Sequence, residues 1–279
     1  MIEKRPVKVI AVSSGKGGVG KTNVSVNLAI GLARSGKSVM LLDADLGLAN
    51  IDIMLGFNSK YDLHHVITGE CSLDEIIIEG PAGINIVPGS SGIGRMADLT
   101  VLEQANLIRA FGELQNPVDV LIIDTAAGIS NSVISFSKAA QEIFVVVCDE
   151  PASITDSYGL IKVLSHEHGV KRFQILSNMV KNSEHGKKLF AKILRTAEIY
   201  LDVSIGYLGS IPMDEKLRES VKMQSAVMES FPHCSSSIAF QRLAKKVNSL
   251  PVLPPTTGYL EFFIERIARS DIDVESTIQ

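Results

Sequence analysis

The sequence predicts an α/β fold, a wound and mainly parallel β-sheet flanked by helices on both faces. Two observations carry this. Apolar, β-rich runs recur along the chain at 7–13, 38–43, 84–89, 118–124, 142–148, 172–178 and 205–212, and they are continuously hydrophobic rather than alternating, as strands covered on both faces must be. Helical stretches separate most of them, at 21–35, 98–114, 131–141, 153–168, 186–201 and 235–248, which is the order that winds a parallel sheet. With 279 residues and 46% hydrophobic content, the chain can bury one large core, so residues 1–250 read as one domain. Residues 251–279 read as a proline-rich linker and a tail, because the prolines of "NSLPVLPPTTG" (248–258) end the preceding helix.

The first strand, "VKVIAVS", is too short for a secretory leader and enters a glycine loop, "SSGKGGVGKT". Gly15-x-x-x-x-Gly20-Lys21-Thr22 fits the P-loop pattern in its required setting, after a strand and before a helix. The backbone N–H groups of Gly15, Lys16, Gly17, Gly18, Val19, Gly20, Lys21 and Thr22 can wrap phosphate oxygens at a helix N-terminus. Lys21 reaches the β and γ oxygens, and the Thr22 hydroxyl can ligate Mg²⁺. The second strand runs into "LLDADLGLANIDIMLG", which supplies Asp43 and Asp45, with Asp52 nearby. Asp45, two residues past the strand end, suits the orienting of an attacking water, and Asp43 suits support of the magnesium shell. A ribose-binding role for this pair would need the GxGxxG loop, which is not the loop present. The strand "VLIIDTAAG" ends on Asp124, the expected position of a carboxylate that holds the Mg²⁺ shell.

A net charge of −4 gives no global basic field, so nonspecific attraction to nucleic acid is not the default, although a local basic patch stays open; no direct sequence-specific binding to nucleic acid is expected either. Cys71, Cys148 and Cys234 lie far apart with no CxxC spacing, which argues against a disulfide framework or a zinc knuckle and fits a cytoplasmic compartment. No apolar run reaches the ~18 residues a membrane span needs. The tail nevertheless carries Leu260, Phe263, Ile264 and Ile267 at helical spacing, with Glu261, Glu265, Arg266 and Arg269 between them. It reads as an amphipathic helix over 258–270.

Taken together, "GKGGVGKT", "LLDADLGLANIDIMLG" and "LIIDTAAG" resemble the deviant Walker A ATPases of the MinD/ParA class, whose loop has the form KGGxxGK[ST]; the resemblance runs over about residues 7–250. It implies an ATP- and Mg²⁺-dependent ATPase that forms a homodimer with ATP. It also implies that Lys16, the first lysine of the loop, reaches the nucleotide of the partner subunit and acts there as an arginine finger would. Asn178, at the end of "ILSNMV", and Pro212 and Asp214, in "GSIPMDEKLRES", resemble the segments that contact adenine. Asp124-Thr125-Ala126-Ala127-Gly128 is similar to the string in the regulators of flagellar number, and Ala126 stands where division-site MinD tends to carry proline. By that resemblance the ATP-bound dimer binds and restrains an enhancer-dependent flagellar transcription activator, and slow hydrolysis resets the monomer. Two other functions of the class stay open, a membrane-cycling positioner of division or cargo and a DNA-bound partition ATPase. So do two uses of the tail, peripheral membrane contact through residues 259–270 or packing on its own domain or a partner.

Overall fold

A computed structural model describes residues 6–45, 50–89, 100–251 and Ile264. The strands are β1 (Lys8–Ser14), β2 (Val39–Ala44), β3 (Ile78–Glu79), β4 (Asn85–Val87), β5 (Val120–Ala127), β6 (Glu142–Val147), β7 (Arg172–Val180) and β8 (Ser204–Pro212). The helices are α1 (Lys21–Ala33), α2 (Ile51–Leu55), α3 (Leu63–Ile67), α4 (Leu73–Ile76), α5 (Val101–Gly112), α6 (Asn131–Ala139), α7 (Pro151–His166), α8 (Ser183–Tyr200), α9 (Glu215–Lys222), α10 (Val227–Ser230) and α11 (Ser235–Ser249).

The strands form one sheet in the order β3-β4-β2-β5-β1-β6-β7-β8. Every pairing is parallel except that of the short β3 with β4. Successive residues of β1 explain the continuously apolar runs: Ile10 and Val12 pack on one face with α1 and α11, whereas Val9 and Ala11 pack on the other with α3, α5 and α6. On that second face, Ile143, Val145 and Val147 of β6 join α7 and α8 in a separate core cluster. Three apolar clusters, one on the first face and two on the second, therefore fix the strands, and the carboxyl ends of the strands are left to carry polar chemistry.

The long elements predicted from sequence are present, with ends shifted by a few residues. Strand β5 continues past Asp124 to Ala127 because its parallel partner β1 runs on to Ser14. Helix α7 starts at Pro151, whose missing N–H suits the first helical turn. The run at 84–89 shortens to β4, and β3 and the short helices α2, α3, α4, α9 and α10 escape prediction because two to eight residues are too few to display a period. Of the tail helix expected at 258–270, Ile264 is described: it is helical and buried in the core cluster that contains Val7, Val9 and Ala140. The remainder of that helix lies outside the described residues. Where α11 ends, the side chain of Lys8 from β1 donates to the carbonyls of Val247 at 2.9 Å and Leu250 at 2.6 Å, satisfying C-terminal acceptors of the helix.

Helix α7 packs directly on the start of the glycine loop. A Cβ at Gly15 would lie 2.1 Å from the carbonyl carbon of Asp156 and 2.4 Å from the nitrogen of Ser157, whereas a Cβ at Gly17 would meet nothing within 4 Å. Backbone cannot give way as a side-chain tip can, so overpacking at Gly15 must displace either the loop or the helix. Gly15→Ala is accordingly expected to lower stability by about 1–3 kcal/mol or more and to weaken nucleotide binding. Gly17→Ala is expected to stay within about 1 kcal/mol of the parent. Thermal melts with and without nucleotide check this, and equal losses in the two variants would refute the packing argument.

Candidate functional site

The glycine loop leaves the carboxyl end of β1, the central strand, between β5 on one side and β6 on the other. Gly20 caps α1 in the left-handed region at φ 83°, a conformation glycine adopts without strain. A Cβ there would also strike the amide nitrogen of Asn178 at 2.6 Å. Lys21 opens α1 and is buried, its Nζ 3.1 Å from Asp124 Oδ1. Ser25, one turn further along α1, donates to the same oxygen at 2.8 Å. Among the described residues, the buried Asp124 Oδ2 has no hydrogen-bond partner. A buried carboxylate oxygen in that condition, facing a phosphate loop, is the donor that a Mg²⁺ shell requires. Thr22 stands half-buried in the same first turn.

Asp43 lies beside Asp124, paired with it across β2 and β5. Both its oxygens accept backbone N–H groups, Oδ1 from Asp45 at 3.1 Å and Oδ2 from Asn50 at 3.0 Å and Ile51 at 3.1 Å. Asp43 thus pins both ends of the segment that holds the half-buried Asp45. Burial and the neighbouring Asp124 charge raise its pKa to about 7 against the pull of those three N–H donors.

The two loop lysines have different surroundings. Lys21 is buried on Asp124; Lys16 is part-exposed and its ammonium pairs with Glu150 at the turn between β6 and α7. The Glu150 hydrogen bond is the main reason the Lys16 pKa is raised. Glu150 was not singled out in the sequence, although an acid directly after an apolar strand, in "VVVCDEP", was a visible cue. Ser25 was missed too, a small polar residue four positions after Lys21 on an otherwise apolar helix face.

Asn178, buried at the carboxyl end of β7, donates through Nδ2 to the carbonyl of Val19 at 2.7 Å and so braces the loop. The next residue, Met179, has φ 54°, unusual for a non-glycine residue. Pro212 ends β8 and pairs with Val180. Asp214 joins two helix N-termini, accepting from Lys216 N at 2.9 Å, Ser235 Oγ at 2.7 Å and Ser236 N at 2.9 Å. Burial opposes its ionisation, but these donors hold its pKa well below the carboxylate range. A concavity of about 560 Å³ beside β8, between α8 and α11, contains no residue of the glycine loop, although Pro212 lines it.

Comparison with known proteins bears on the family and the fold. Residues 7–180 match a family described as "AAA domain". The antiactivator FleN of Pseudomonas aeruginosa is 52% identical over 264 residues, 95% of this chain and 94% of that one. The flagellum site-determining protein YlxH of Helicobacter pylori is 30% identical over 265 residues, 93% and 90% of the two chains. Among solved structures, the septum site-determining protein MinD from Pyrococcus horikoshii, complexed with Mg-ADP, superposes with a TM-score of 0.67 at 24% identity, over 87% of this chain and 96% of that one. Among the described residues no helix is long and apolar enough to cross a membrane.

A raised carboxyl pKa has a signed consequence. Asp43 binds its proton more tightly in the folded protein, so its contribution to stability is complete below about pH 4, the unfolded value, and is lost as pH rises towards about 7. Without nucleotide, the melting temperature of the parent should therefore fall relative to Asp43→Asn between about pH 4 and pH 7, and the gap should close at lower pH. Parallel melting curves across that window would show that Asp43 is not so perturbed.

Proposed function

Because this chain belongs to the MinD/ParA class of P-loop ATPases and, within it, to the family of the antiactivator FleN, we propose that it is an ATP-switched homodimer that limits flagellar number by binding and restraining a flagellar transcription activator. The observation that carries the reading is the separation of the two lysines. Lys21 sits inside its own site on Asp124, whereas Lys16 stands at the surface with its charge directed away from that site, held by Glu150. An exposed cation on a phosphate loop becomes useful when a second copy brings its nucleotide to it.

In this reading Lys21 and the loop amides bind the phosphates, and Thr22 and Asp124, with its orphaned oxygen, hold Mg²⁺. When bound, Mg²⁺ neutralises phosphate charge. Asp43 maintains the segment that presents Asp45, and Asp45 orients the water that attacks the γ-phosphate. Asn178, with Nδ2 committed to Val19, offers its other amide atom to the adenine edge, beside Pro212 and Asp214. Hydrolysis is slow and resets the monomer, so the output of the protein is the dimer state rather than product. The protein works in the cytoplasm, and the burial of Ile264 in the core of its own domain favours packing of the tail on that domain over contact of residues 259–270 with a membrane.

Size-exclusion chromatography with light scattering, run with and without a non-hydrolysable ATP analogue and the candidate activator, tests the switch. The expected results are a monomer alone, a dimer with the analogue and a complex of dimer with activator. Lys21→Ala should abolish nucleotide binding, Lys16→Ala should keep binding but fail to dimerise, and Asp45→Ala should stay dimeric with ATP. Equal loss of ATP affinity in both lysine variants, or a monomer in every condition, would overturn the reading.

A further inference from the structure

A second polar cluster lies behind the Lys16–Glu150 pair, and nothing in nucleotide binding calls for it. Asp149, the residue before Glu150, is gripped on both oxygens by α8. His185 Nε2 lies 2.7 Å from Oδ2, and Lys192 Nζ donates to Oδ1 at 2.8 Å. The backbone N–H of Lys181 donates to His185 Nδ1 at 3.2 Å, so that nitrogen is the acceptor and Nε2 carries the proton that faces Asp149. The ring is fixed in turn by the N-cap of α8, where Asn182 accepts from the His185 N–H at 2.9 Å.

Asp149 sits in a turn with little slack. The N–H of Glu150 donates to the carbonyl of Cys148 at 2.8 Å, and the N–H of Cys148 donates to Ser153 Oγ on α7 at 3.2 Å. Asp149 and Glu150 share a peptide plane inside this turn. Holding the first carboxylate on α8 therefore sets where the second can reach, and it reaches Lys16. The path from α8 to the glycine loop runs through five residues: Lys192 and His185 contact Asp149, the backbone joins Asp149 to Glu150, and Glu150 contacts Lys16.

We infer that His185 and Lys192 are positioning residues that hold Glu150 against Lys16, so that the α8 surface sets how readily Lys16 is released to a partner subunit's nucleotide. The inference rests on the reading that Lys16 acts across the dimer. A lysine engaged by Glu150 in its own chain is not available to the other, and the apparent affinity for dimer formation falls by the fraction so engaged. Both members of the pair are substantially exposed, which limits the effect to a few-fold.

The test is a titration of the full-length protein with a non-hydrolysable ATP analogue, with dimer followed by light scattering and nucleotide binding followed separately with a fluorescent ATP analogue. Glu150→Gln, Lys192→Met, His185→Ala and Asp149→Asn are each expected to lower the analogue concentration at half-maximal dimerisation by about two- to fivefold, with monomer nucleotide affinity and melting temperature unchanged. His185→Gln, which keeps a donor near the Nε2 position, and Lys192→Arg are expected to behave as the parent. Placed in the Glu150→Gln background, the α8 substitutions should add nothing, because the contact they act through is already gone. Full additivity in that background, an unchanged midpoint in the α8 variants, or a raised midpoint in Glu150→Gln would each overturn the inference. If Lys16→Ala still fails to dimerise in those cases, the proposed switch survives and only the α8 control falls; if Lys16→Ala dimerises normally, both fall.

Discussion

The contact on which the site depends is the buried pair of Lys21 and Asp124. It joins the first turn of α1 to β5, and the lysine and carboxylate come from positions 103 residues apart. Two charges removed from water gain little net stability from each other, whereas removal of one leaves the other buried and uncompensated, at a cost of about 3–5 kcal/mol. The pair is therefore poor as a structural device and well suited to a binding site, where phosphate and Mg²⁺ offer each partner a stronger replacement. The orphaned Asp124 Oδ2 points the same way, since a purely structural carboxylate would have both oxygens satisfied.

Around that pair the fold supplies rigidity by packing backbone on backbone. Gly15 lets α7 approach the loop so closely that neither can shift alone. Asn178 ties the other limb of the loop to β7 through Val19, and Asp43 ties both ends of the segment after β2. Gly15 against α7, Val19 on Asn178 of β7 and Lys21 on Asp124 of β5 hold the loop in place, as preorganisation of a phosphate site requires. Lys16 is the exception. It is part-exposed, its partner Glu150 is more exposed still, and an ion pair of that kind is weak enough to exchange. In the proposed reading, the buried and the exposed salt bridge of one loop divide holding from switching.

Much of the fold was legible in the sequence because both faces of the sheet are covered. Double coverage makes each central strand a continuous apolar run, and runs of that kind are visible without knowledge of their neighbours. The glycine loop and the acids at the ends of β2 and β5 were legible because ligands collect at the carboxyl ends of the strands in a wound sheet, which says where to look for polar residues. Short elements such as α2 and β3 were not legible, because they follow from the path the chain must take between larger pieces rather than from any period of their own. Nor could sequence assign partners to Asn178 or Asp214, since an amide or carboxylate at a strand end can serve backbone, helix N-terminus or ligand equally well.

What the sequence determined by itself is local: a phosphate-binding loop between strand and helix, acids at strand ends and two lysines where one would hold a phosphate. What the tertiary structure decided is which charge meets which. Lys16 and Glu150 are 134 residues apart and meet because β6 lies beside β1, while β5 lies on its other side and brings Asp124 to Lys21. Strand order in a wound sheet is set by how crossover helices pack on its faces, a global property that no stretch of sequence displays, and it alone gives the two lysines separate partners.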